Sequence, residues 1–489
     1  MSPITIYLIL IFSLFIPPIP TTADQSYISI LINQNGLNFV KNLLITKAIS
    51  SLTPTPISQI EKAVKIPVIG KVRIVLSDII IYRVNVGSSD VRPGISGVSI
   101  VGSGVTSDMT VNWHYSYGSW VGPISISDSG TAAIEVTGME IGLVLGLDYQ
   151  EGSMKLSVME CNCHIRDISI DLKEGASWLY QGIVDAFKDE IISAVEKAFT
   201  KKLKSEISEL ASVLQTLPKH IPVDNAVSLN VTFVNNPFLS NTSLGFEING
   251  LFVDSKVNKL SYHNHLQPPI SCSDPLKMIG IALDEAVFES ASNLYYDAKF
   301  MQWIVDKVPE QNLLNTAGWR FIIPQLYKKY PNADMNLNIS LSDPPLVQIA
   351  SQNIAATVYA DLIIDVLGAD ETIPVICISL VMSGTGSVHI IGNNLAGRLN
   401  LDDFTMSLKW SKVGNLHMFL IQPVIWTMIE TVFLPYANAR LGIGFPLPII
   451  NGFTLQNAEI ISSQSRITVC SDVSYEESFK SSHARIYTS

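Results

Sequence analysis

From Ser177 to Leu214 the chain reads SWLYQGIVDAFKDEIISAVEKAFTKKLKSEISELASVL. Leu179, Ile183, Phe187, Ile191, Ala194, Ala198, Leu203, Ile207, Leu210 and Leu214 recur at helical spacing, with Asp185, Lys188, Asp189, Glu196 and Lys197 on the other side. That is the period of a long amphipathic helix. Ser177 is a candidate N-cap, and Leu217-Pro218 followed by Pro222 ends the run. An apolar stripe of this length has to be laid on something, and the preceding sequence offers a sheet. From about Lys65 to Leu172 the period is two. Met109, Val111 and Trp113 alternate with Thr110 and Asn112, and Met139, Ile141, Leu143, Leu145 and Leu147 line one face. Turn clusters such as Gly102-Ser103-Gly104 break these runs, as antiparallel strands require.

The order helix, strands, helix occurs twice. Ahead of the first strands, Leu37, Val40, Leu44, Ala48 and Leu52 mark one face of a helix stopped by Pro54 and Pro56. In the second half, Asp274-Pro275 opens a predicted helix through Ile279, Leu283, Val287, Ala291, Leu294 and Ala298 towards Trp303 and Ile304, with Asp274 as its N-cap. Strands follow, the clearest at 335–341 and 404–410. Ile421, Ile425, Met428, Ile429 and Val432 then mark a closing helix that reaches Pro435 before Gly442 and Gly444. Between the copies, Leu217 to Pro269 carries five prolines and strand-like alternation, which predicts an ordered connector running along both units, with a strand from each half meeting in a central sheet.

The first residues read as a leader. Ile4 to Ile16 is an apolar run shorter than a bilayer needs, followed by Pro17, Pro18 and Pro20 and the small residues Thr21, Thr22 and Ala23. This predicts a signal peptide cut near Ala23, and no later segment reads as long enough to span. The protein is therefore expected to be soluble and secreted. Three glycosylation sequons, at Asn230, Asn241 and Asn338, agree, and alternation at 227–233 and 335–341 turns Asn230 and Asn338 to the wet face of a strand.

Composition sets further bounds. A chain of 489 residues is long enough for two or three domains, and 47% hydrophobic with only 15% charged residues leaves an apolar surplus that a large core, an interface or a ligand cavity would absorb. The net charge of −11 argues against non-specific nucleic-acid binding. Against that acidity, Lys41, Lys47, Lys62, Lys65, Lys71, Arg73, Arg83 and Arg92 face only Glu61, Asp78 and Asp90 in their stretch, a basic cluster of the kind that attracts acidic lipid headgroups.

The five cysteines, Cys161, Cys163, Cys272, Cys377 and Cys470, leave at least one unpaired in a monomer, and spacing does not assign partners. Cys161-x-Cys163-His164 and His263-x-His265 lack a second pair at zinc-like spacing, so no metal is expected. The chain has no Gly-x-Ser-x-Gly elbow and no His-Glu-x-x-His helix, its histidines are scattered, and the adjacent pairs Asp402-Asp403 and Glu476-Glu477 need not converge. An enzyme is not expected.

Gly36-Leu37-Asn38-Phe39, Lys65-Ile66-Pro67, the stretch from Cys161 to Ile165 leading into the Trp178 helix, Thr216-Leu217-Pro218, Tyr330-Pro331-Asn332 and Gly444-Phe445-Pro446-Leu447-Pro448 carry a resemblance through their shared order. The chain resembles the bactericidal/permeability-increasing protein and lipopolysaccharide-binding protein family, in its plant branch. The resemblance implies an α+β fold of two similar antiparallel barrels, each wrapped around a long amphipathic helix and joined by a central sheet in an elongated boomerang. It divides the chain into a signal peptide (1–23), an N-terminal lipid-binding barrel (24–220), a connector contributing to the central sheet (221–270), a C-terminal lipid-binding barrel (271–475) and a polar tail (476–489). It further implies a lipid pocket in each barrel, no cofactor, ligands that are bacterial lipopolysaccharide or phospholipid, contact with a bacterial or host membrane surface, and a role in innate defence. The alternative is a carrier of endogenous phospholipids or sterols.

Candidate pocket residues are Leu37, Val40, Leu44, Ile183, Phe187 and Ile191 in the first half, and Leu283, Val287, Ile421, Ile425 and Ile429 in the second. The candidate headgroup tip is Lys62, Lys65, Lys71 and Arg73 with Trp113, Tyr115, Tyr117 and Trp120, whose rings are expected in the headgroup zone. Three features depart from the family pattern. The helix that in animal members carries the disulfide partner of the position matching Cys161 has Ala198 and Phe199 here, so that tie is absent or Cys161 pairs elsewhere. The hairpin that is lysine-rich in the endotoxin-killing member is aromatic, from Trp113 to Trp120, and the whole chain is acidic.

Overall fold

The computed structural model describes residues 25–66, 70–95, 97–118, 125–173, 177–225, 227–254, 269–306, 311–368 and 371–476. The leader and the polar tail beyond 476 lie outside these. Contacts divide the chain into two compact units: Ile32–Leu217 with Asn236–Phe246, and Pro218–Asn235 with Glu247 onward together with the described residues up to Leu31.

The first unit is built on long antiparallel strands. β2 (Thr55–Ile57), β4 (Gly70–Asn85), β6 (Gly97–Gly118), β7 (Ser125–Gln150) and β8 (Ser153–His164) lie side by side, with β3 (Ile60–Ile66) also on β4, β5 (Ser88–Gly94) on β6 and β9 (Asp167–Lys173) on β7. Helix α1 (Gln34–Leu52) precedes them and α2 (Ser177–Gln215) follows. The period-two pattern puts Val72, Ile74, Leu76, Met109, Val111, Ala132, Ile134 and Val136 on one side of the sheet, where they form a single core with Phe187, Ile191, Val195 and Phe199 of α2. The C-terminal turns of α2 bury Ile207 against Leu143, Leu145 and Leu156. The stripe read from the sequence is thus one continuous packing surface, and burying each such side chain contributes about 1.5–3 kcal/mol.

The second unit repeats the plan. β16 (Gln302–Val305), β17 (Met335–Leu341), β19 (Asn353–Leu367), β20 (Thr372–Ile391), β21 (Asn394–Ser411) and β22 (Phe445–Pro446) form one sheet, with β18 (Leu346–Ala350) beside β19. Its buried face closes on Ile421, Ile425, Met428 and Ile429 of the closing helix. That helix is α5 (Met418–Met428), one π-helical stretch (Ile429–Phe433) and α6 (Leu434–Leu441). Pro435 has no N–H for a regular turn, so the widened stretch stands where the ladder is interrupted. By length and composition the 24 residues Met418–Leu441 are apolar enough to cross a membrane, which corrects the reading that no later segment is so. Its Ile421-Ile425-Met428-Ile429 stripe is nevertheless core, and Gln422, Glu430 and Asn438 interrupt the rest.

A six-stranded sheet runs in the order β12 (Phe238–Leu239), β13 (Ser243–Ile248), β1 (Ile28–Asn33), β15 (Ile279–Asp284), β24 (Arg466–Tyr475), β23 (Phe453–Ser463). It draws strands from the start, the connector and the end of the chain. β10 (His220–Pro222), β11 (Val227–Asn230) and β14 (Phe252–Asp254) make a separate three-stranded sheet.

One expected helix is shorter than its pattern. Residues 279–284 form β15, and the helix is α3, Glu285–Asp297. Ile279, Leu283 and Val287 do recur at four, but Ile281 and Ala282 between them are also buried, the signature of a strand covered on both faces. Asp284 is the cap: its Oδ1 accepts from the Ala286 N–H at 2.9 Å. Asp274 instead accepts from Leu276 N–H in a turn.

The cysteine pairing, open from spacing alone, is resolved. Cys272 and Cys470 are bonded across a sequence separation of 198, leaving Cys161, Cys163 and Cys377 as thiols. Cys161 makes no tie to α2. Cys163 is pushed up to about 12 by burial first, then by Glu196 and Cys161, so it stays protonated at neutral pH. Closing so long a loop is worth about 5 kcal/mol in the chain-entropy account. Cys470→Ala should lower the stability of the second unit by that order, and denaturant unfolding of the unreduced variant beside the native protein measures it.

Candidate lipid-binding site

Between α2 and the first sheet lies a slit lined only by apolar and aromatic side chains. β4 gives Ile74 and Leu76, β6 gives Val111, Trp113 and Tyr115, β7 gives Ala132 and Ile134, β9 gives Ile170 and Leu172, and α2 gives Val184, Phe187 and Ile191. Its unfilled space is about 440 Å³, part of it open to solvent, while only about 30 Å³ is wide enough to centre a water molecule. The slit is narrow.

Strand register builds this lining. Leu76 stands opposite Trp113, and Trp113 opposite Gly130; Ile74 stands opposite Tyr115; Val111, Ala132 and Leu172 form one row across β6, β7 and β9. Gly130 is required here: a Cβ would sit 2.6 Å from Trp113 Cζ2, so the bare backbone is what lets the indole lie flat across its neighbour. Trp113 Nε1 donates to Thr131 O at 3.3 Å. Trp113 stacks with Tyr115 at 6.0 Å between centroids, and Tyr115 with Tyr117 at 6.3 Å, a ladder of rings along the inner face of β6.

That ladder corrects the expected tip. Trp113 and Tyr115 are 5% and 7% exposed and point into the slit, with Tyr117 packed partly against the same core. The alternation is the cause: residues 109, 111, 113 and 115 share one face, and Met109 and Val111 commit that face to the core. Trp120 lies outside the described residues.

A polar rim adjoins the slit. Lys62 stands opposite Ile74 in the β3–β4 pairing and forms an ion pair with Glu190, which lies between the lining residues Phe187 and Ile191. The ammonium hydrogen bond holds the Glu190 carboxyl below its ordinary range. Its second oxygen, Oε2, is buried with no hydrogen-bond partner among the described residues. Arg73 pairs with Glu61 at 2.6 Å. Lys65 and Lys71 face each other directly across the strands, exposed, with no acidic partner among the described residues, but on the outer face of the sheet and away from the slit, since Lys71 alternates with the inward Val72, Ile74 and Leu76. Like charges so placed repel, which leaves both free for an anion.

Two profiles of the LBP / BPI / CETP family match this sequence, its N-terminal domain over residues 36–217 and its C-terminal domain over residues 222–475. The chain belongs to the LBP/BPI/CETP family. An Arabidopsis thaliana protein assigned to the BPI/LBP family is 57% identical over 468 residues, 95% of this chain and 96% of that one. Bactericidal permeability-increasing protein of Sebastes schlegelii is 24% identical over 92% of this chain and 95% of its own, and human lipopolysaccharide-binding protein 25% over 66% and 68%. A crystal structure of lipopolysaccharide binding protein aligns with a TM-score of 0.63 at 20% identity, over 93% of this chain and all of that one, a likeness of fold.

Within this LBP/BPI/CETP fold the expected pocket residues separate. Phe187 and Ile191 line the slit, while Leu37 is buried in another cluster with Val91, Val98 and Leu244. Val40 and Leu44 are half-buried on α1, and the side chain of Ile183 lies outside those described. In the second unit Ile421, Ile425 and Ile429 share one core, whereas Leu283 and Val287 are buried in β15 and α3, outside that cluster. The strand-borne lining, Ile74 to Leu172, was missed although its alternation was visible. Asn241 is exposed, Asn338 half-buried, and Asn230 Oδ1 accepts from Thr232 N–H and Oγ1–H within its own sequon. Among the described residues no group of three or more His, Cys, Asp or Glu side chains is placed to hold a metal ion.

Gly130→Ala should displace the indole and cost about 1–3 kcal/mol, seen as a lower denaturation midpoint with altered tryptophan emission. The rim pair has a pH signature. A carboxyl whose folded value is depressed stabilises above its unfolded value, near 4.3, and loses that contribution as pH falls through the folded value. The coupling of Lys62 and Glu190 in a double-mutant cycle, about 0.2–1 kcal/mol for a part-exposed pair, should be present at pH 7 and be lost as pH falls through the depressed folded value.

Proposed function

We propose that this is a secreted lipid-binding protein that takes up lipid A of bacterial lipopolysaccharide and phospholipid in the slit between α2 and its sheet, acting in innate defence. The supporting observation is the lining: twelve side chains without a charged group, bordered by the Lys62–Glu190 pair. Hydrocarbon gains about 0.8 kcal/mol for each CH₂ taken from water, so such a lining binds acyl chains with no strong polar contact. The slit admits a chain when the Phe187-Ile191 face of α2 moves off β6 and β7. The names of the relatives, bactericidal permeability-increasing and lipopolysaccharide-binding proteins, agree with this reading. It requires no chemical step and no cofactor.

A second reading is a carrier of endogenous phospholipids or sterols. The net charge of −11 and the inward turn of Trp113 and Tyr115 favour it, because both weaken attraction to a highly anionic endotoxin surface. Titration with lipid A at physiological salt separates the two. Saturable binding, reduced at least about tenfold by Ala132→Trp, which plugs the slit, supports the first reading. A folded protein with no affinity for lipid A that releases host phospholipid or sterol on extraction supports the second. No lipid bound in either experiment overturns both.

A further inference from the structure

We propose that the end of the second unit carrying α4 (Pro324–Lys329) and the turn before α5 docks on an anionic lipid bilayer. The proposal concerns a surface separate from the slit and does not rest on lipid uptake there.

Register places the elements. Met335 opposes Val366, Leu367 opposes Thr372 and Ile376 opposes Ser411, so β17 begins, β19 ends, β20 begins and β21 ends at one edge of the sheet. Segments 317–333 and 404–429 emerge there. They are joined by Lys329 Nζ donating to Lys412 O at 3.0 Å, and Lys412 N–H bonds to Val375 O at 2.9 Å. Trp319, Ile323 and Leu326 anchor the first segment in the core, and Val413, Leu416 and Met418 pack the second on it.

Above those anchors, large apolar side chains stand in solvent: Phe321 is 77% exposed, Phe419 70%, Leu420 39% and Trp410 36%. Phe419 has the His417 ring 5.9 Å away, and the exposed area of all four faces solvent. Cations sit against the rings, with the Arg320 guanidinium 4.5 Å from the Phe321 centroid and Lys412 Nζ 5.8 Å from that of Trp410. Lys328 and Lys329 add two more charges in the last turn of α4.

Charge selects the partner. The chain as a whole is strongly acidic, yet neither segment contains a single Asp or Glu. The acids described at this edge lie outside both segments: Asp306 just past β16, Asp334, which accepts from Asn315 Nδ2, the buried Asp365, and Glu371. Exposed rings flanked by lysine and arginine suit a membrane–water interface, where amphipathic rings settle at headgroup depth and each basic side chain gains from acidic lipid. A protein partner would be served by the rings but gives no reason for excluding acids from both segments.

The test is sedimentation of the full chain with sucrose-loaded vesicles of phosphatidylcholine alone or mixed with phosphatidylglycerol. The native protein should partition onto the mixed vesicles, less so as salt rises. Phe321→Ser with Phe419→Ser should lower the partition coefficient roughly tenfold, and Lys328→Gln and Lys412→Gln about fivefold each, with Val213→Ser, an exposed site in the other unit, unchanged. Lipid A binding by the same variants should match the native protein, so failure here and failure of the slit reading are told apart. Brominated phosphatidylglycerol should quench native emission by a component missing from Trp410→Phe. Native protein left in the supernatant overturns the proposal. So do variants that bind like the native protein, including a result in which they pull down a protein instead.

Discussion

One constraint governs the first unit: the apolar stripe of a 39-residue helix has to be buried against a sheet whose inner face is fixed by alternation. Where side chains on both sides are bulky, as with Val195 and Phe199 of α2 and Val136 and Met139 of the sheet, all fully buried in one core, the interface closes. Towards the N-terminal turns of α2 the sheet instead presents a flat ladder of rings and a glycine. Flat rings do not interdigitate with a helix as branched aliphatic residues do, and a thin unfilled space remains. The slit is thus a consequence of which residues occupy the period-two positions.

The same matching, repeated with different residues, makes the second core. There the helix changes geometry at Ile429, and the stripe Ile421, Ile425, Met428, Ile429 stays in register with β17, β19 and β20 because the inward residues lie before or at the start of the π-helical stretch. The disulfide between Cys272 and Cys470 fixes the chain ahead of β15 to β24, its neighbour in the six-stranded sheet, so the beginning and end of this half are held together covalently as well as by ladder hydrogen bonds.

Much of this was legible in the sequence wherever period and length agreed. The Ser177 helix, the strands at 335–341 and 404–410 and the closing helix all carry many repeats of one period with breakers at their ends. Residues 279–284 carried too few. Five consecutive buried positions, 280–284, show no period at all, and the adjoining helix lent them its own. The aromatic run 113–117 failed for another reason. Its composition suggested an interface, but the direction of a strand side chain is set by the neighbours two positions away, and Met109 and Val111 had already determined it. The Lys62–Glu190 pair was not legible, since 128 residues separate its members.

Membership of the LBP/BPI/CETP family leaves ligand choice to the rim. Acyl burial is proportional to area and nearly indifferent to the headgroup attached, so the lining that gives affinity gives little selectivity. On the proposed reading, selectivity arises where polar groups meet the slit: an ion pair with one carboxylate oxygen still unsatisfied. An unsatisfied buried acceptor favours a ligand bearing a donor. A headgroup that carries a donor relieves that cost, whereas one with phosphates alone does not. On that reading, discrimination among lipids turns on Lys62 and Glu190 more than on the dozen side chains that form the slit.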